Sequence, residues 1–232
     1  MVVQQGNQRR RVMLVHALTE SLTPIHKAFS THWPEAETYD LLDSSASADH
    51  AANDGLLDAR MKARFLALGR YAAEAGSRKG GTDGVLFTCS AFGPAIEAVK
   101  QALAIPVLKP NEAAFTQALA IGKRIGLLVT FEPSLKSLSI ELSDMARQQG
   151  ISLSLEARVI PAALVALHAG QPEEHDALIA QAAAALPAVD AVVLGQVSMA
   201  RAAAAVSGQG AVPVITTPES AVIEMRRLLG AA

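Results

Sequence analysis

The sequence predicts an α/β protein built from two similar lobes, and three observations carry that reading. Short, continuously apolar runs rich in Val, Ile and Leu alternate with longer stretches of helical period, the pattern of strands buried in parallel sheets between helices. Half of the 232 residues are hydrophobic but only 4% are aromatic. Ala, Leu and Val must therefore build the core, which suits helices packed on buried strands. The third observation is that the chain repeats itself.

In chain order, the strand-like runs are 12–15, 85–87, 125–129, 191–194 and 212–215. Helical periodicity covers 54–75, 94–104, 112–121, 134–149 and 172–185. Gly93-Pro94 reads as a helix start with proline at the first helical position. Glu112 and Glu219 each open a helix, where a carboxylate complements the positive end of the dipole. The repeat appears when 83–114 is laid without gaps over 190–221: Asp83 meets Asp190, Val85 meets Val192, Pro106 meets Pro213 and Glu112 meets Glu219. The offset is constant, since 190 − 83 and 213 − 106 both equal 107. Comparable strands, 11-RVMLVHAL and 124-RIGLLVTF, precede the two copies. The expected division is a first lobe over 1–108, joined by the C-terminal segment 212–232, and a second over 109–211.

The repeat proposes a site. Open α/β sheets bind ligands beyond the carboxyl ends of their strands. The only cysteine, Cys89, stands there in the first copy, and since 89 + 107 = 196 its counterpart is Gln196. A thiol near a helix start is expected to have its pKa lowered by the dipole and by free amides. A small buried hydrophobe is the other reading of the same position. Ser90 and the amides that follow it could hold a carboxylate. Thr130 ends the strand 125–129 and Ser134 lies just beyond, either as helix caps or as anion contacts. Val197 and Ser198 follow Gln196 in the matching turn, and His16 ends the first strand as a candidate lining residue.

Other classes are excluded. A net charge of −2 with mixed signs offers no basic patch for nucleic acid. No run approaches the ~20 apolar residues that span a bilayer, and the N-terminal stretch lacks a signal peptide's pattern. A cytoplasmic protein is the expectation. The histidines show no metal-ligand spacing, and GxGxxG, GxxxxGK[ST] and GxSxG are all missing; neither metal nor cofactor is expected. A homo-oligomer, commonly a dimer, stays open.

The run TCSA after a strand, 105-IPVLKPNEAAFTQALAIGKRIGLLVT-130, and LG before Gln196 with a Met three residues on resemble the aspartate/glutamate/hydantoin racemase superfamily, the hydantoin-racemase side especially. The likeness runs from Val12 to Leu229. It implies two pseudo-symmetric α/β lobes with a cofactor-independent site between them, and one cysteine from each lobe serving as paired acid and base. The first of those cysteines maps onto Cys89; the second maps onto Gln196, which cannot exchange a proton near neutral pH. The chain thus resembles single-cysteine relatives, the arylmalonate decarboxylases, and the maleate isomerases, which use a cysteine as nucleophile. The expected function is cysteine-mediated proton transfer on a small carboxylate or carbamoyl substrate, isomerase-like or decarboxylase-like. Cys89 would be catalytic, and Ser90, Thr130, Gln196, Val197, Ser198 and His16 would contact substrate. The alternative is a non-catalytic small-acid-binding protein.

Overall fold

The computed structural model describes residues 9–76, 81–208, 210 and 212–231. Its strands are β1 (Arg11–His16), β2 (Glu37–Leu42), β3 (Gly84–Phe87), β4 (Val107–Leu108), β5 (Arg124–Val129), β6 (Ser154–Val159), β7 (Ala191–Leu194) and β8 (Val214–Thr216). The helices are α1 (Leu22–His32), α2 (Ser45–Ala52), α3 (Ala59–Glu74), α4 (Gly93–Ala102), α5 (Glu112–Ile121), α6 (Glu132–Gln148), α7 (Pro161–His168), α8 (Pro172–Ala184), α9 (Ala203–Ser207) and α10 (Thr217–Leu228). Two four-stranded sheets form, ordered β2-β1-β3-β4 and β6-β5-β7-β8. All six strand pairings are parallel.

The expected repeat is visible in the backbone. β7 begins and ends 107 residues after β3, since 84 + 107 = 191 and 87 + 107 = 194. The amide of Asp83 bonds to the carbonyl of Arg11 as that of Asp190 bonds to Arg124, and Val85 bonds to Pro106 as Val192 bonds to Pro213. Each matched aspartate also closes the start of its lobe's first strand. Asp83 accepts from the Arg11 amide at 2.7 Å, and Asp190 accepts from the Arg124 amide at 2.9 Å.

Both faces of each sheet are covered. One face of the first packs Met13, Val15, Val85 and Phe87 against Phe65 of α3 and Ile96 and Val99 of α4. The other sets Val12, Leu14 and Leu86 against Ile25 and Phe29 of α1 and Val222 and Met225 of α10. The second sheet packs Ile125, Leu127 and Val193 on α5 and α6, and Leu128, Val192 and Leu194 on α8 and α9. Each fully buried Leu, Ile or Phe contributes about 1.5–3 kcal/mol.

Two helices cross between lobes. α5 follows β4 of the first sheet yet packs on the second, and α10 follows β8 of the second yet packs on the first. The segment 212–232 is accordingly divided. β8 is hydrogen-bonded into the second sheet beside β7, and α10 alone returns to the first. Two edge strands, β2 and β6, and helices α1 and α7 lie where no element is expected from sequence. The stretch 54–75 becomes α3, starting only where Asp58 accepts from the Met61 amide at 2.8 Å. Among the described residues no helix is long and apolar enough to cross a membrane, and no group of side chains could hold a metal ion.

Candidate functional site

The parallel sheets bring the ends of β3 and β7 together. A 3-10 turn, Ser90–Phe92, leads from Cys89 into α4, and its counterpart, Val197–Ala202, leads from Gln196 into α9. Cys89, Ser90, Gln196, Val197 and Ser198 line one cavity, together with Leu18, Ser21 and Thr88. Its volume is about 20 Å³, room for a single water molecule. The cleft is narrow at this point, with less room than a small acid fills. Close by, Ser90 Oγ of the first lobe donates to Ser134 Oγ of the second at 3.4 Å, while the Asn111 side-chain amide donates to the carbonyl of Gly195 at 2.8 Å and Lys109 pairs with Glu141 at 2.8 Å.

The thiol side is lightly polar. Cys89 is only partly exposed. Burial pushes its pKa up from 9.0 to about 11, opposed by hydrogen bonds from the Ala91 amide and the Ser47 side chain. This corrects the expectation of a lowered pKa. The amide and hydroxyl do favour thiolate, but the loss of water from the narrow cleft outweighs them.

The opposite wall is dense with donors. Oε1 of Gln196 accepts from the Thr130 amide at 2.5 Å, the Thr130 hydroxyl at 3.0 Å and the Phe131 amide at 3.2 Å. Three donors on one atom fix the orientation of the amide, because Nε2 could accept none of them. Nε2 makes no hydrogen bond among the described residues, so the group left for the cavity is an NH₂ donor.

The remaining candidates fall into place around these two. Val197 joins the apolar core over the first sheet. Thr130 and Ser134 do not cap α6, whose N-terminal flank, Phe131, makes no side-chain cap. The Thr130 hydroxyl goes instead to Gln196 of its own lobe, and Ser134 Oγ meets Ser90 across the cleft. His16 is buried but stands one layer behind the wall, with Nδ1 2.9 Å from Ser21 Oγ and 2.8 Å from Thr88 Oγ, and Nε2 3.0 Å from Asp40. Glu112 accepts from the Lys109 amide and Lys100, as a helix-start carboxylate would. Sequence reasoning missed Ser21, Ser47, Thr88 and Asp40. Thr88 sits inside the TCSA run and was within reach; the others carry no local signal.

Comparison with known proteins agrees with this architecture. A family model described as Asp/Glu/Hydantoin racemase matches residues 17–225. Among solved structures, glutamate racemase from Campylobacter jejuni superposes with a TM-score of 0.71 at 14% identity, over 94% of this chain and 85% of that one. Allantoin racemase from Pseudomonas fluorescens gives 0.69 at 18% identity, over 95% and 91%. An aspartate racemase homologue from Pyrococcus horikoshii gives 0.67 at 15% identity, over 95% and 99%. No curated protein sequence matches.

Proposed function

The chain belongs to the Asp/Glu/hydantoin racemase family, and we propose that within it this protein catalyses a one-sided proton transfer, with Cys89 as the sole catalytic thiol. The single observation that supports this most is the state of Gln196. Its oxygen is saturated by three donors of the second lobe, so it offers the cavity a neutral amide N–H and no exchangeable acid.

The chemistry follows from that asymmetry. With its pKa near 11, Cys89 is a thiol at neutral pH. It is therefore in the right state to give a proton to a planar, enolate-like carbon. Such an intermediate forms when a small acid loses CO₂ or isomerises, and its negative charge lies on oxygen atoms. The Gln196 NH₂ and the hydroxyls of Ser90 and Ser198 would donate to those oxygens, stabilising charge as it develops. Proton delivery from the first lobe alone gives one enantiomer. The substrate class is a small carboxylate or carbamoyl compound, reached after the lobes open, and no cofactor takes part in the scheme.

A panel of 2-substituted malonates and α-hydrogen carboxylates, incubated in D₂O and followed by NMR, tests the reading. Deuterium entering the α-carbon in the parent and not in Cys89→Ser is expected. Equal incorporation in Cys89→Ser sinks the assigned role, and tight binding without any turnover favours a small-acid-binding protein.

A further inference from the structure

A chain of hydrogen bonds joins the Cys89 cavity to the surface, and among the described residues it exists on the first-lobe side only. Ser21 and Thr88, both buried, are cavity-wall residues that meet Nδ1 of His16. Nε2 of His16 meets Asp40. Asp40 meets Nε2 of His26 at 2.9 Å, and the His26 side chain is 40% exposed while that of His16 is 0%. The titratable groups against the His16 ring are Asp40 from β2 and His26 from α1; Thr88, just past β3, and Ser21 of the 3-10 turn Thr19–Ser21 present hydroxyls.

Every member can pass a proton on. An ionised carboxylate only accepts, so Nε2 of neutral His16 carries the hydrogen and Nδ1 accepts from Thr88. In the imidazolium, Nδ1–H donates to Ser21 Oγ. The hydroxyls then turn to carbonyls, Thr88 to Val15 at 3.3 Å and Ser21 to Leu18 at 2.7 Å. Both protonation states are hydrogen-bonded, which a proton relay requires.

Among the described residues the second lobe has no such path. β1 ends on His16 and β5 on Val129. Thr88 corresponds to Gly195, since 88 + 107 = 195, and a Cβ on Gly195 would come within 3.0 Å of Leu127 and Val129. Asp40 pairs in register with Leu14, whereas Ala157 pairs with the equivalent Leu127.

We infer that His26, Asp40, His16 and the hydroxyls of Ser21 and Thr88 form a proton path from solvent that returns to Cys89 the proton it gives to substrate carbon. The inference rests on the reading of Cys89 as donor given above. In each cycle the S–H bond breaks and a C–H bond forms, leaving thiolate. A wall hydroxyl protonates the thiolate across the shared cavity, which has room for one bridging water, and takes the Nδ1 proton of His16. His16 is recharged from solvent through His26 and Asp40, with one tautomer exchange of its ring. One proton is consumed per turnover. Loss of CO₂ from a carboxylate requires that supply, and symmetric racemisation does not.

The decisive test needs no substrate. In ¹⁵N-labelled full-length protein, exchange of the His16 ring N–H with solvent is expected to slow about tenfold in Asp40→Asn, as it would when a general-base step is lost. A merely structural histidine exchanges by local opening, which Asp40→Asn would leave unchanged or speed up; either result overturns the path. With any acid of the panel that turns over, His16→Asn is expected to lower kcat about 100-fold, to leave KM little changed and to be rescued by added imidazole. A loss carried in KM, or one that imidazole does not rescue, contradicts the path, and His16→Gln repeats the test should His16→Asn fold poorly. Turnover that survives Cys89→Ser defeats the reading of Cys89, while the ring-exchange measurement still decides the path.

Discussion

The turn after β3 and the turn after β7 are built on one plan and carry opposite chemistry. Each begins one residue past an equivalent backbone bond: Thr88 bonds back to Val15, and Gly195 to Leu128. Each opens a 3-10 turn. The first presents a thiol with a buried histidine and two hydroxyls behind it. The second presents a glutamine whose oxygen is consumed by its own lobe, with Val129 and Gly195 where the first lobe has His16 and Thr88. A duplicated backbone fixes where two groups meet; the side chains decide whether both can move protons. On the proposed reading one side exchanges protons and the other holds charge.

The sharpest way to break the comparison is at the thiol. Cys89→Ser is expected to lower turnover by about 1,000-fold or more, on the scale of losing an essential acid–base group, with folding intact by circular dichroism. On the other side, Gln196→Glu separates position from chemistry. Its carboxylate can still accept from Thr130 and Phe131, so stability by urea denaturation is expected to change by only about 1 kcal/mol. The cavity loses an NH₂ donor and gains negative charge, and turnover of an anionic substrate is expected to fall about 100-fold. Gln196→Leu instead leaves three buried donors unpaired, at about 1–3 kcal/mol each, and is expected to unfold at lower urea.

Stability against pH follows the same asymmetry. The Cys89 thiol ionises at 9.0 when unfolded and near 11 when folded. Its contribution is complete below pH 9 and is lost as the pH rises through 11, by at most about 3 kcal/mol. Cys89→Ala is expected to remove that alkaline limb in urea titrations between pH 8 and 11. A smaller effect is expected at a matched pair in the strands. Ala191 is fully buried, but a Cβ on its equivalent, Gly84, would come within 2.8 Å of Met225 Sδ of α10. Gly84→Ala is expected to cost about 1–2 kcal/mol, because the methionine can give way.

What could be read from the sequence was what repeats or is buried on both faces. The central strands β3, β5 and β7 are continuous apolar runs, and the offset of 107 links Cys89 to Gln196 in the sequence alone. The edge strands β2 and β6 were not legible, because ETYDLL and SLEARV are half-buried and carry polar residues on both faces. Asp40 was lost with β2, and with it the partner that fixes His16. The orientation of Gln196 depends on amides of Thr130 and Phe131 that lie 66 and 65 residues away, so no local pattern could reveal it. The thiol's raised pKa likewise depends on the narrow cleft and not on the helix start that the sequence displays.

The central claim is that protons reach substrate from the first lobe only, and the stereochemistry of deuterium incorporation tests it most directly. A prochiral 2-substituted malonate, or an α-hydrogen acid that exchanges, would be turned over in D₂O and its product resolved by chiral chromatography with NMR. One deuterated enantiomer in large excess, absent in Cys89→Ser, is the expected result. Racemic deuterated product from the parent would mean a second proton donor faces Cys89 and would contradict the account.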